Sequence, residues 1–159
     1  MSDTFFPMPV ARQNSQPAKD PLSDYAINLY YRFGVDRYDL GVFTSINGLG
    51  VELQVQTIEE GGGGTLVHQL VGRPKYENLE LKRPVNPDTK KVMAWLNSTI
   101  RNVSPATASL AALTPSGQVI CEWNLAGVIP ARWTGPSFDA SGSPQAAMET
   151  LVVAYQGFL

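Results

Sequence analysis

Apolar and polar residues alternate strictly in several runs of this sequence, and this period of two constrains the fold more than any other feature. The clearest runs are VELQVQ at residues 51–56 and NLELKR at residues 78–83. Because successive side chains of a strand point to opposite faces, each run is predicted to be an antiparallel strand with one buried and one wet face. The predicted buried residues are Val51, Leu53, Val55, Leu79 and Leu81. An earlier run has the same period at Tyr25, Ile27, Leu29, Tyr31 and Phe33, after which a turn is expected at 36–41.

The period changes in VNPDTKKVMAWLNSTI, residues 85–100, which is the one segment that predicts a helix. Asn86 is the expected N-cap, Pro87 suits the first helical position, and Asp88 would face the positive end of the helix dipole. Apolar residues then recur at steps of three and four, which predicts a single buried stripe. That stripe consists of Val92, Trp95, Leu96 and Ile100.

The remainder of the chain returns to a β pattern, in ATASLAAL, in QVICEWNLAGVIPARWTG and in the C-terminal AAMETLVVAYQGFL. Pro130 in the second of these predicts an edge, a bend or a bulge, because proline cannot donate to a strand ladder. The order of strands, one helix and strands predicts a mainly β (α+β) fold, an antiparallel sandwich or open barrel with one flanking helix. The expected core includes Trp95, Leu96, Trp123 and Leu151.

Length and composition predict one domain with one core, because the chain has 159 residues, of which 43% are hydrophobic and 16% charged. We expect an N-terminal arm over residues 1–20 and the folded domain over 21–159. The formal net charge of −2 argues against nonspecific nucleic-acid binding. No apolar run reaches membrane-spanning length and no secretory leader is evident, so neither a membrane anchor nor secretion by a leader is expected. The single cysteine fits folding in a reducing cytosol.

The sequence shows no catalytic or metal-binding pattern, so we expect neither an enzyme nor a cofactor. His68 is the only histidine, which leaves no triad and no multi-histidine metal site. Alternation places Cys121 with Val119 and Trp123, in the core. The four glycines at residues 61–64 lack the Gly-Lys-Ser/Thr ending of a phosphate-binding loop.

The segment TIEEGGGGTLVHQLVGRPKYENLELKR, residues 57–83, is predicted to be a long loop between two strands, and it is the best candidate for function. Glu59 and Glu60 precede the glycines, and six of the twelve basic residues fall within residues 73–91, just after them. These are Arg73, Lys75, Lys82, Arg83, Lys90 and Lys91. The opposite charges at the two ends of the loop would pair within the chain or between neighbouring copies, head to tail. The first alternative is slightly favoured by sequence alone.

Four segments resemble the tail tube proteins of contractile bacteriophages and the inner-tube proteins of phage-tail-like contractile injection systems. They are YYRFGVDRYDLGVFTSINGLGVE, GRPKYENLELKRPV, MAWLN and GVIPARWTGPSFDASGSPQAAMETLVVAYQG, and the resemblance runs from about residue 20 to the C-terminus. It implies hexameric rings that stack into a hollow tube inside a contractile sheath, with strands from all six copies joined in one barrel around the lumen. A tube-initiating baseplate ring of the same fold and, from another class, a small-molecule-binding β-barrel are the alternatives.

The resemblance also implies roles for individual residues and partners. The loop would contact the next ring or subunit through Glu59, Glu60, Gly61, Gly62, Gly63, Gly64, Arg73, Lys75 and Tyr76. The wet strand faces would line the lumen through Glu52, Gln54, Gln56, Asn78, Glu80 and Lys82. Expected partners are further copies of the chain, the sheath, the baseplate or hub, the terminator, and a luminal effector, tape-measure protein or phage DNA. The subunit would be made in the cytoplasm and end in a tail or an injection particle.

Overall fold

The computed structural model describes residues 28–59, 61–62, 67–137 and 146–159. Within these ranges the chain forms ten strands and one helix. The strands before the helix are β1 Tyr30–Val35, β2 Tyr38–Phe43, β3 Ser45–Asn47, β4 Val51–Glu59, β5 Val67–Tyr76 and β6 Leu79–Pro84. They are followed by α1 Thr89–Arg101, β7 Ala106–Leu113, β8 Val119–Thr134, β9 Met148–Ala154 and β10 Gly157–Phe158. The expected N-terminal arm, Tyr25 and Ile27 lie outside the described residues.

Eight of these strands form one antiparallel sheet in the order β2-β1-β7-β8-β9-β6-β3, with β10 paired to β8. Only Thr44 separates β2 at one end of this order from β3 at the other. The Thr44 N–H and hydroxyl both donate to the carbonyl oxygen of Lys82, at 3.0 and 3.2 Å, which ties the β2–β3 corner to β6. The sheet therefore curls back on itself as a barrel, and the predicted antiparallel β class with one helix is confirmed.

The barrel interior is filled by side chains that alternate along the strands. Phe33, Phe43, Leu81 and Leu110 are fully buried. Leu79 is buried with them, so the predicted inward face of β6 is confirmed. Trp95 and Leu151 belong to this core, whereas Leu96 and Trp123 are partly buried and pack against it.

The helix begins at Thr89, two residues after the predicted first helical position. Asp88 is the N-cap and makes no side-chain capping bond. The predicted N-cap, Asn86, is wrong, because its side chain accepts the Asp88 N–H at 2.9 Å in a turn that precedes the helix. Val92 and Trp95 face the barrel, but Ile100 is 79% exposed, so the predicted stripe ends one turn early. No helix in the described part of the chain is long and apolar enough to cross a bilayer.

Strand β8 is long enough to belong to both halves of the barrel. Its first half pairs with β7 and its second half with β9. The register shifts between Pro130 and Arg132, which confirms the irregularity predicted at Pro130. The first four residues of β8 are all exposed, including Val119 and Cys121. The prediction that Cys121 belongs to the core is therefore wrong, because this end of the strand extends past the packed interior.

A buried ion pair joins β6 to β9. Arg83 and Glu149 are each 1% exposed, and the Arg83 Nε donates to Glu149 Oε1. Arg83 Nη1 also donates to the Leu40 carbonyl oxygen at 2.6 Å, and its guanidinium lies 4.4 Å from the centre of the Phe43 ring. Arg83 is therefore a core residue, and its predicted place among the loop-flanking interface charges is wrong.

Candidate functional site

Strands β4 and β5 form a hairpin that stands apart from the barrel as a separate two-stranded sheet. We call this element, Val51–Tyr76, the arm hairpin. The predicted long loop is therefore mostly strand, paired from Val51 opposite Tyr76 to Glu59 opposite Val67. Glu60, Gly63 and Gly64 lie outside the described residues. All of β4 is exposed on both faces, so the predicted half-buried strand is wrong for the protomer.

One face of the arm hairpin is apolar. Residues opposite each other on paired antiparallel strands share a face, and the odd-numbered residues of β4 face the same way. This apolar face is formed near the base and middle of the hairpin by Val51, Leu53 and Val55 of β4 with Val71, Pro74 and Tyr76 of β5. Toward the tip the same face also carries Thr57, Gln69 and Glu59, beside Val67. Val55 is 55% exposed and Val71 68% exposed. A contiguous apolar surface of this kind marks an interaction site in a folded protein.

The opposite face is more polar and contains three of the predicted lumen-lining residues. Glu52 lies opposite Lys75, and Gln56 lies opposite Leu70. Gln54 lies at a register shift, where its carbonyl oxygen would be 2.9 Å from a Cβ on Gly72. Glycine is needed at this bulge because the two backbones approach so closely. The arm hairpin thus has two different faces, as the sequence indicated, but the residues of β4 are exposed on both of them.

The acidic and basic residues that were predicted to lie at the two ends of a loop are far apart along the arm hairpin. Glu59 lies at the tip opposite Val67, whereas Arg73 and Lys75 lie near the base. Pairing of Glu59 with those bases inside the chain, the alternative favoured by sequence, is therefore wrong. Two of the other cations are engaged locally: Lys82 Nζ is 2.9 Å from Glu80 Oε1, and Lys91 Nζ is 2.9 Å from Asp88 Oδ1.

The tip contributes two described glycines. A Cβ on Gly61 or Gly62 would meet no atom within 4 Å. No described part of the protomer therefore requires glycine at these positions. The predicted contact role of the tip stays a prediction.

The base of the arm hairpin is fixed by aromatic residues from the C-terminal end of the chain. The Tyr155 hydroxyl donates to the Gly50 carbonyl oxygen at 2.8 Å and accepts the Gly50 N–H at 3.1 Å. The Tyr155 ring lies 5.4 Å from that of Tyr76 and 5.6 Å from that of Phe158. Sequence reasoning missed this anchor, whose only sign was the pair of aromatic residues in AYQGF, within the last predicted strand. The hairpin therefore leaves the barrel from a braced base.

The other three predicted lumen-lining residues lie on or beside β6. Asn78 and Lys82 are exposed and Glu80 is partly buried. They alternate with the buried Leu79 and Leu81, so they lie on the outer side of the barrel wall. Their place around a lumen stays a prediction at the level of the single chain.

A second exposed region is a charged groove of about 570 Å³ on the outer side of β1, β2, β7 and β8. Arg32 and Asp39 pair across it. The hydrogen bond from Arg32, together with the Gly41 N–H at 3.1 Å, holds the pKa of the Asp39 carboxyl below its ordinary value. Within the described ranges, no three side chains of the metal-ligating types lie close enough together to hold an ion. His68 lies on β5 opposite Ile58.

Comparison with known proteins identifies the family to which this fold belongs. The model of the T4-like virus tail tube protein gp19 family matches residues 27–159. The chain belongs to this family. It is thus a tail tube protein, and the resemblance seen in the sequence is confirmed. No curated protein matches the sequence significantly.

Several solved structures share the fold of this tail tube protein at low sequence identity. One, from the sheath-tube complex of the PVC extracellular contractile injection system in its extended state, has a TM-score of 0.66 and 21% identity. That match covers 81% of this chain and 86% of the other. A chain of the anti-feeding prophage baseplate has a TM-score of 0.61 and 23% identity, over 85% of this chain and 93% of that one. A chain of the anti-feeding prophage cap has a TM-score of 0.64 and 21% identity, over 91% and 93%.

Proposed function

We propose that this tail tube protein forms hexameric rings that stack into the inner tube of a contractile phage tail or injection system. The observation that carries the proposal is the arm hairpin, whose outer strand edges, and whose apolar face beyond Tyr76, have no partner within the described protomer. Exposed edges and apolar strands are aggregation hazards that proteins normally cover. Copies of the same chain are the partners that a tube supplies.

In this arrangement the arm hairpins complete a barrel around a central bore. Each outer edge of β4 or β5 pairs with a strand of the neighbouring subunit, while the apolar face turns toward protein. The polar side, with Glu52, Gln54 and Gln56, then faces the lumen together with Asn78, Glu80 and Lys82. A polar wall of mixed charge lets a charged cargo pass without strong binding at any one site.

The glycine-containing tip, with Glu59, Glu60, Gly61, Gly62, Gly63 and Gly64, would contact the adjacent ring or subunit, and Arg73, Lys75 and Tyr76 would contribute near the base. Glycine lets a backbone approach a neighbour closely. Fixing each residue of such a segment costs roughly 1–2 kcal/mol, which assembly must offset. A template that presents many contacts together would therefore start the tube more readily than free collision does.

The proposed partners follow from the place of a tube in a contractile particle. They are the surrounding sheath, the baseplate or hub, a terminator, and a cargo in the bore that is an effector, a tape-measure protein or phage DNA. The solved relatives come from a sheath-tube complex, a baseplate and a cap, which supports the first three. The subunit acts as conduit and piston rather than as an enzyme, and it passes from the cytoplasm of the producing cell into the particle.

Electron microscopy of the purified chain, alone and with its baseplate, tests the proposal. We expect six-subunit rings and stacked tubes. A variant that replaces residues 55–71 by Asn-Gly keeps the braced base and should lose tube formation, whereas Cys121→Ser, an exposed change off the hairpin, should assemble normally. Normal tubes from the shortened variant would show that the arm hairpin is not the assembly element.

The same images separate the two alternatives. Rings that form but never stack would favour a tube-initiating baseplate ring. The similar fold of a baseplate chain is the observation in favour of this alternative. A small-molecule-binding barrel has no support in the barrel interior, because side chains such as Phe33 and Phe43 fill it. Persistent monomers on the baseplate would contradict both tube and ring.

A further inference from the structure

An apolar groove runs between the end of α1 and the second half of β8. Leu96, Ile100 and Val103 line one side, and the segment from Ile129 to Trp133 lines the other. Its volume is about 380 Å³. Ile100 is 79% exposed and Val103 73% exposed, so nothing in the described protomer covers them.

The groove and the arm hairpin are two different apolar surfaces on one chain. The hairpin strands pair only with each other, and the groove is lined by α1, the residues after it and β8. Two distinct complementary patches on identical subunits make a head-to-tail contact, which closes into a ring or continues as a helix. A chain of the tail tube family meets many copies of itself, so a second copy is the occupant that both patches share.

Charge at the ends of the two surfaces fixes their relative direction. Glu59 follows Val55 on the apolar face of the arm hairpin and lies at its tip. Arg132 is an exposed residue among those that line the groove, and among the described residues it has no ion-pair partner. A hairpin lying in the groove with its tip toward Arg132 would bury apolar side chains and place opposite charges together at the exposed rim.

We propose that the groove between α1 and β8 receives the apolar face of the arm hairpin from a neighbouring subunit, with Glu59 of one copy beside Arg132 of the next. This inference rests on the proposed tube function and names the surface that receives the hairpin. Docking of the hairpin would bury Ile100 and Val103, which are exposed in the single chain.

Charge exchange tests the direction of docking. Glu59→Arg and Arg132→Glu should each slow tube growth by about tenfold or more, because like charges then meet at the rim. The double variant E59R/R132E should recover growth to near the wild-type rate. E52R/R132E is the matched control, since Glu52 lies on the opposite hairpin face and should restore nothing. Normal growth of the single variants, no recovery in E59R/R132E, or equal recovery in the control would overturn the proposal.

Cross-linking tests the contact without relying on growth rates. In a Cys121→Ser background, Leu53→Cys with Val103→Cys should give a ladder of covalent oligomers with a short bis-maleimide in assembled tubes. Gln54→Cys with Val103→Cys, on the other hairpin face, should give little product. Tubes without the ladder would overturn the groove assignment while leaving the tube function standing. A wild-type chain that forms neither rings nor tubes would overturn both.

Discussion

Replacing Glu149 by leucine should strongly destabilise the subunit, because it leaves the buried Arg83 guanidinium without its ion-pair partner. Glu149 Oε1 accepts hydrogen bonds from Arg83 and, at 2.9 Å, from the Thr89 hydroxyl. Its Oε2 accepts from the Trp133 indole N–H at 3.2 Å. These bonds join β6, β8, β9 and the start of α1 at one carboxylate. Arg83 and Glu149 are each 1% exposed, so water cannot replace the lost partner without disrupting the core.

The magnitude follows from the cost of an unpaired buried charge. Removing one member of a buried ion pair costs about 3–5 kcal/mol. Arg83 Nη2 is already a buried nitrogen with no hydrogen-bond partner, so the guanidinium has little alternative bonding to fall back on. With about 2–4 °C lost per kcal/mol for a chain of this size, the Tm should fall by roughly 6–20 °C. The loss is a large part of a typical stability of about 5–15 kcal/mol.

Urea unfolding of the monomer, followed by circular dichroism, measures the effect. The matched control is R83M/E149L, which removes both charges and should recover most of the loss, because an apolar pair of similar volume is often nearly neutral. A loss below about 1 kcal/mol in E149L, or a double variant no more stable than the single one, would refute the reasoning that burial makes this pair costly to break.

Three further outcomes are expected. Val55→Lys should change the free energy of unfolding of the monomer by less than about 0.5 kcal/mol, because the site is exposed, yet it should abolish tubes in electron micrographs. Tubes at wild-type yield would contradict this. Gly48→Ala should lower stability by about 1–3 kcal/mol, since its φ is +86° and a Cβ would lie 2.0 Å from a backbone oxygen at the hairpin base. Gly61→Ala, with open space around it, is the control, and equal denaturation midpoints for the two would refute the strain argument. Because the pKa of Asp39 is lowered from 3.8 by its hydrogen bond to an arginine, its stabilisation is present above that pH and is lost as the pH falls below it. Unfolding free energies of wild type should therefore fall more steeply than those of D39N below pH 3.8, and parallel curves would speak against the pair.

The sequence predicted strand faces better than it predicted burial. Alternation separated Leu79 and Leu81 from Glu80, and the structure places the leucines in the core. The same alternation at Val51 and Leu53 predicted a buried face that the protomer does not have. The local pattern is identical in both cases. It indicates that one face of the strand is covered, but it does not indicate whether the same chain or another molecule covers that face. The difference is visible only when the chain is folded.

Contacts between distant residues were the other gap. Arg83 and Glu149 are 66 positions apart, and nothing local marks them as a pair. In the sequence, Arg83 was therefore grouped with the other basic residues of its segment. Cys121 shows the reverse error, since alternation suggested core while the end of β8 runs out into solvent. The charge of Glu59 was noticed, but its distance from Arg73 follows from hairpin register, which the predicted long loop did not include.

Hydrogen exchange of the arm hairpin, in the monomer and in the assembled tube, tests the central claim that neighbouring copies complete this element. Among the described residues, no strand pairs with the outer edges of β4 and β5, so their amides should exchange rapidly in the monomer. In the tube they should become strongly protected, while the amides of β7, already paired on both sides, should change little. Rapid exchange of the hairpin edges in intact tubes would contradict the account.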